Sequence, residues 1–293
     1  MNAASPLVTL IMSLFSVILP TKMWFGPAQP LTVHVDSKAP VSFVLTKFDG
    51  TAIPAKGPTD APGGDATVDL RTLFPELSAQ GTYVLFAVPK GKGVGDFVGT
   101  PVVIEVRSDK GTGALEGVKF EPLRYEVMTT DAGPLTMTFY YDVAPNTVDS
   151  FLRLSSEGYY DGLSFHRIVP GFVIQGGDPE GTGTGGPGFS IGAEFNDHPH
   201  TEGVLSMARS SDPNSGGSQF FVCLDYNQTR HLDGQYTAFG KVVSGMDAVK
   251  KIAGTPLADK ENGKPASPQL IQKAEVFPVT HDHNPYAAMG LGK

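Results

Sequence analysis

Residues 163–179 read Leu-Ser-Phe-His-Arg-Ile-Val-Pro-Gly-Phe-Val-Ile-Gln-Gly-Gly-Asp-Pro. Two short apolar runs flank a Pro-Gly pair, and a double glycine closes the segment. This punctuation predicts two strands joined at a sharp corner. His166, Arg167 and Gln175 interrupt the apolar positions, and Arg167 precedes a wholly apolar set of Ile168, Val169, Phe172 and Val173. A charge among such neighbours is costly unless it is paired or used. The segment therefore reads as a groove with one cationic donor. The bland alternative is an arginine in a surface salt bridge above residues that only fill a core.

The same punctuation runs through the chain. Its 293 residues include 35 glycines and 24 prolines, with 40% hydrophobic residues, a mixture that favours strands and turns over long helices. The length suits two domains. A formal charge of −8 argues against generic nucleic-acid binding, which needs a basic field. The single cysteine, Cys223, allows no internal disulfide and sits in a core-strand pattern. Residues 7–19 form an apolar run stopped by Pro20. It matches a signal-peptide core and is too short for a stable membrane span. Export to a periplasmic or envelope-associated location is favoured over a cytoplasmic one, although no Lys or Arg precedes the run. Cleavage would start the mature chain near Phe25.

Five domain segments follow. Residues 1–26 are a hydrophobic leader. Residues 27–107 hold at least five short strand patterns with long turns and form a small β-sandwich-like domain. The Lys90–Gly95 loop lacks the spacing of a phosphate loop and reads as a hairpin. Residues 108–121 are a glycine-rich linker of mixed charge. The second domain, 122–279, opens with a strand through Leu135 to Tyr141. A helix starts at Pro145 and ends at Gly158. A shorter helix covers Gly245 to Ile252, and a closing strand covers Leu270 to Phe277. Roughly eight strand candidates and two helices allow closure into a barrel. Residues 280–293 are an irregular tail. His198 and His200, one residue apart beside Glu194, make a poor metal set, and no metal or cofactor is expected. Arg209 lies in a polar loop and reads as solvated.

Three ordered motifs carry a resemblance: Phe165–Asp178, Ser218-Gln-Phe-Phe-Val-Cys223, and Leu232-Asp-Gly-Gln-Tyr-Thr-Ala-Phe-Gly240. Over residues 122–279 the chain resembles cyclophilins, the peptidyl-prolyl cis-trans isomerases, and its Met207–Ser215 loop is similar to the bacterial branch. The resemblance implies an all-β-dominated fold: a C-terminal eight-stranded closed β-barrel with two capping helices. It implies Arg167 as the catalytic arginine and Gln175 as the glutamine that orients it. Phe172, Val173, Phe221 and Leu232 match the proline pocket. Ala208 and Gln219 match the peptide groove, and the Arg209 backbone matches a peptide anchor. His166, Tyr236 and His231 complete the substrate-binding set. Tyr236 stands where many eukaryotic members have histidine. His231 stands where well-known members carry the tryptophan that supports cyclosporin binding.

The expected chemistry is rotation about X-Pro bonds of unfolded or extended chains. It needs no nucleophile, metal or cofactor, only a slot for the pyrrolidine ring and a donor for the twisted amide. The expected partners are proline-containing polypeptides, with no nucleic acid, and a monomer is expected. Two other readings compete: a non-catalytic module that binds proline peptides, and an envelope scaffold served by the N-terminal domain.

Overall fold

The computed structural model describes residues 17–108 and 116–293, so most of the expected leader and linker lies outside the described residues. The chain divides into two compact units. One comprises residues 1–124 with 278–293, and the other Tyr125–Phe277.

In the first unit, Ile18–Pro20, Thr32–Ser37 and Gly64–Asp69 form a three-stranded sheet. A seven-stranded sheet is built around Gly117–Pro122, Val98–Arg107, Gly81–Pro89 and Val41–Lys47. Alternation gives Thr32–Ser37 one apolar face, whereas the central strands Gly81–Pro89 and Val98–Arg107 are buried on both faces. Val33 and Val35 from the small sheet share a core with Phe43, Leu45, Leu85 and Ile104 from the large one. Three segments differ from the sequence reading. Ile18 is buried and pairs with Val35, so cleavage near Phe25 would remove a core strand. Gly117–Pro122, which overlaps the end of the expected linker, pairs with Val98–Arg107. The expected tail is packed: Tyr286 is fully buried, meets Phe48 edge to face, and donates its hydroxyl to the Arg124 carbonyl at 2.7 Å.

The second unit holds an eight-stranded antiparallel sheet. Its strands run in the order Arg167–Val169, Val173–Gly176, Phe220–Cys223, Val204–Met207, Ala238–Ser244, Gly133–Phe139, Arg124–Thr130 and Ile271–Pro278. The expected closed barrel is not formed; the sheet is a curled, open half-barrel. Closure would need Arg167–Val169 to pair along Ile271–Pro278. That edge strand has only three residues. Its outward-facing Ile168 N–H donates instead to the Gly263 carbonyl at 2.7 Å. Gly263 belongs to a hairpin formed by Leu257–Asp259 and Lys264–Pro265. What joins the two ends of the sheet is one isolated bridge, Ser164 to Leu270, and its flanking backbone bonds.

The helix Pro145–Ser156 lays Phe151 against Phe220, with ring centroids 5.2 Å apart. Its start is capped from a distance: Glu194 accepts from the Asn146 and Thr147 amides and the Thr147 hydroxyl. Its end is a left-handed turn at Gly158, with Tyr159 N bonded to the Leu154 carbonyl and Gly158 N to that of Ser155. A second helix, Met246–Ala253, buries Ala248, Val249 and Ile252.

One buried carboxylate lacks hydrogen-bond partners among the described residues. Glu126 is fully buried, and neither carboxyl oxygen has a hydrogen-bond partner among the described residues. The nearby Ser155 hydroxyl donates to the Phe151 carbonyl. Burial pushes the Glu126 carboxyl up to about 8, with Asp161 adding to the rise. The folded state thus favours the neutral acid. That stability is fully present below the ordinary carboxylate value and is lost as pH rises through about 8. Glu126→Gln should abolish this alkaline loss. Between pH 5 and 9 the thermal midpoint of the wild type should fall, by an amount reflecting on the order of 4 kcal/mol. The midpoint of the variant should fall much less over the same range.

Candidate functional site

Cross-strand partners in a sheet point to the same face. The register pairs Arg167 with Gln175, Gln175 with Phe221, Phe221 with Ser206 and Ser206 with Ala238. These side chains therefore form one row across the sheet. The adjacent row, Ile168, Ile174, Val222 and Leu205, faces the other way and is fully buried. Alternation thus supplies a dry core on one side and a polar-edged surface on the other.

On that surface three side chains form a hydrogen-bonded chain. Arg167 Nη1 donates to Gln175 Oε1 at 3.3 Å, Gln175 Nε2 to Gln219 Oε1 at 3.0 Å, and Gln219 Nε2 to the Gly185 carbonyl at 2.9 Å. Each amide is polarised in one direction, so Gln175 presents only its oxygen to the arginine. Arg167 is half-buried, and its remaining N–H groups have no partner among the described residues. The anchor at Gly185 lies in the glycine-rich loop 180–188. That loop is folded around the buried Asp178, whose carboxylate accepts from the amides of Glu180, Thr182 and Gly183.

Beside this chain lie the apolar residues. Val173, Phe221 and Leu232 are buried, while Phe172 is half-buried. Phe221 meets Tyr236 edge to face at 5.8 Å. Phe172 stacks on the exposed His231 ring at 5.6 Å. Ala208 is half-buried, and its amide donates to the Gln219 carbonyl at 2.9 Å. His166 is half-buried with both ring nitrogens enclosed and without a hydrogen-bond partner among the described residues. Burial holds its pKa below the usual imidazole range, and the Arg167 charge adds to this effect.

Arg209 differs from the solvated side chain read from its loop. Its guanidinium lies 4.5 Å from the Tyr236 ring centroid and donates to the Gln235 and Ser210 carbonyls. The two histidines of the weak metal reading diverge. His198 stacks on Tyr140 at 4.1 Å. His200 is fully buried under the site: Nδ1 meets Asp233 Oδ1 at 2.9 Å, Nε2 meets the Ser206 hydroxyl at 3.0 Å, and the ring stacks on Phe221. Burial lowers the His200 pKa, opposed by Asp233. The sequence reading missed Ser206, Asp233 and His200 as supports of Phe221. Their spacing carries no motif, since strand pairing and the 230–233 turn bring them together. Cys223 is buried, and its thiol pKa is pushed up by that burial, as suits a core residue.

Comparison with known proteins points the same way. The family described as "Cyclophilin type peptidyl-prolyl cis-trans isomerase/CLD" matches residues 125–276. A peptidyl-prolyl cis-trans isomerase of Synechococcus elongatus is 52% identical over 115 residues, covering 39% of this chain and 77% of the relative. Peptidyl-prolyl cis-trans isomerase B of Bacillus subtilis is 48% identical over 125 residues, covering 42% and 85%. One of Schizosaccharomyces pombe is 43% identical over 153 residues, covering 50% and 95%. A crystal structure of a cyclophilin-type peptidyl-prolyl cis-trans isomerase from Cryptosporidium parvum superposes with a TM-score of 0.50 at 32% identity, covering 53% of this chain and 98% of that one.

Removing the amide that accepts from Arg167 should loosen the guanidinium and leave the apolar residues in place. Gln175→Ala should therefore lower kcat for an Ala-Pro peptide about fivefold and change KM by less than twofold. Steady-state kinetics in a protease-coupled isomerase assay check this split.

Proposed function

The chain belongs to the cyclophilin-type peptidyl-prolyl cis-trans isomerase family and catalyses cis-trans isomerisation of X-Pro bonds in polypeptides; we propose that Arg167 is its catalytic group and that Phe172, Val173, Phe221 and Leu232 hold the proline ring. The supporting observation is the register that sets Arg167, Gln175 and Phe221 in one row, with the arginine held at one Nη and its other donors unspent.

Amide resonance sets the barrier at about 18–20 kcal/mol, because the nitrogen lone pair is shared with the carbonyl. As the bond twists, that lone pair returns to the prolyl nitrogen. A guanidinium is always charged and can donate to the nitrogen as it pyramidalises. This contact strengthens only in the twisted state, which is the requirement for lowering a barrier. An acceleration of about 10⁵-fold corresponds to roughly 7 kcal/mol. One charged hydrogen bond contributes a fraction of that, so the apolar slot must contribute through desolvation and fit. Gln219 and Ala208 would line the adjoining groove for the extended chain. His166, His231, Tyr236 and the Arg209 backbone would contact flanking residues.

Two finer assignments belong to the same reading. The Met207–Ser215 loop and Tyr236 support placement with bacterial relatives. The apolar run at 7–19 supports export. The pairing of Ile18–Pro20 in the first sheet favours a run that is kept over one cleaved near Phe25. Intact mass of the protein from its native host should show that residues 18–20 are retained; a start near Phe25 would contradict this.

Arg167→Ala should fold normally and lose more than tenfold in kcat/KM on an Ala-Pro peptide. Undiminished turnover would remove the arginine from the mechanism. Phe221→Ala should lose activity mainly through KM. It should also lose about 3–5 kcal/mol of stability, since a buried aromatic ring is deleted.

A further inference from the structure

The proposed catalytic strand is also the edge of the open sheet, and a sheet edge exposes backbone groups that need a partner. Here Ile168 turns its N–H outward, and the Gly263 carbonyl accepts it at 2.7 Å. Gly263 has φ +73°, a conformation that glycine adopts without steric cost. The approach is closer than any side chain permits. A Cβ at position 263 would lie 2.6 Å from the Ile168 carbonyl oxygen and 3.3 Å from Arg167 Cγ. The hairpin around this contact is built to hold its shape. Asp259 accepts from the amides of Glu261 and Asn262 and from Asn262 Nδ2, while Leu257 and Asp259 pair with Pro265 and Lys264. The guanidinium of Arg167 is thus held at its tip by Gln175, and its stem passes where a Cβ at position 263 would press on it.

We propose that Gly263 is a positioning residue for the isomerisation: the 257–265 hairpin sets the backbone and stem of Arg167 from outside the sheet, and only glycine allows it close enough to do so. This rests on the assignment of Arg167 as the catalytic group. Two effects separate at position 263. One is the left-handed backbone, which any L-residue strains. The other is the collision with residues 167 and 168. Gly162 isolates the first effect, since it has φ +80° and open space where a Cβ would project.

The test compares Gly263→Ala and Gly162→Ala in the full chain, each with and without Arg167→Ala. Gly263→Ala should lower kcat about tenfold and leave KM for an Ala-Pro peptide within twofold, because the apolar slot is untouched. Gly162→Ala should leave both unchanged. In the Arg167→Ala background, Gly263→Ala should have no further effect. The Nε–H resonance of Arg167, identified by its loss in Arg167→Ala, should shift or broaden in Gly263→Ala and not in Gly162→Ala. Should Gly263→Ala fold poorly, Asp259→Ala, which frees the turn without a collision, should broaden the same resonance and lower kcat by a smaller factor. Wild-type kcat and an unmoved Arg167 resonance in Gly263→Ala would overturn the proposal, as would an equal loss in both backgrounds. Full turnover by Arg167→Ala alongside a shifted resonance in Gly263→Ala would instead overturn the catalytic assignment and leave the contact standing as a structural one.

Discussion

Pairing register determines which residues of this sheet can ever meet. Arg167, Gln175 and Phe221 come from three strands, and each is the direct partner of the next. Slipping the Val173–Gly176 strand by one residue would turn Gln175 inward and bring Ile174 to the surface, exchanging a hydrogen-bonding amide for an alkyl group. The aromatic core under the sheet resists that slip. Phe220 packs against Phe151 and Tyr160, so its strand neighbours are held in phase. The proposed site is therefore sustained by contacts on the opposite face of the sheet.

Behind Phe221 the rule is that each polar group finds a partner. His200, Ser206 and Asp233 are linked to one another, and the Ser206 hydroxyl also reaches the Thr237 carbonyl. Such a connected network adds rigidity behind Phe221 without leaving a donor stranded. Glu126 breaks the rule in a region that contributes nothing to the proposed groove. Its cost falls on stability, whereas the cost of disturbing His200 would fall on the shape of the slot.

Much of this architecture could be read from residue order. The strand-corner-strand at 163–179, the helix from Pro145 with its glycine stop, and the closing strand near 270 all follow from local periodicity and punctuation. Arg167 and Gln175 stood out because polar residues in an apolar strand demand a reason. Three things were not legible. Sheet closure depends on whether two distant edges meet, and a three-residue strand gives no local sign that a glycine 95 positions later will take its free amide. The role of His200 is set by partners 6 and 33 residues away, in no recognised spacing. The tail from 280 to 293 reads as irregular because its few apolar residues lack a period, yet Tyr286 and Leu291 are buried through contacts that no pattern encodes.

Those last residues belong to the same unit as residues that precede the isomerase unit, so the isomerase unit is an insertion in the sequence of that frame. Synthesis proceeds from the N-terminus, and a unit completed by the final segment must wait for it. On the ribosome the inserted unit gains all its residues first, while Phe48 still lacks Tyr286 as a neighbour. The frame is therefore completed last, after a unit of its own chain that turns X-Pro bonds has all its residues. A chain released early would carry a complete catalyst and an unfinished frame.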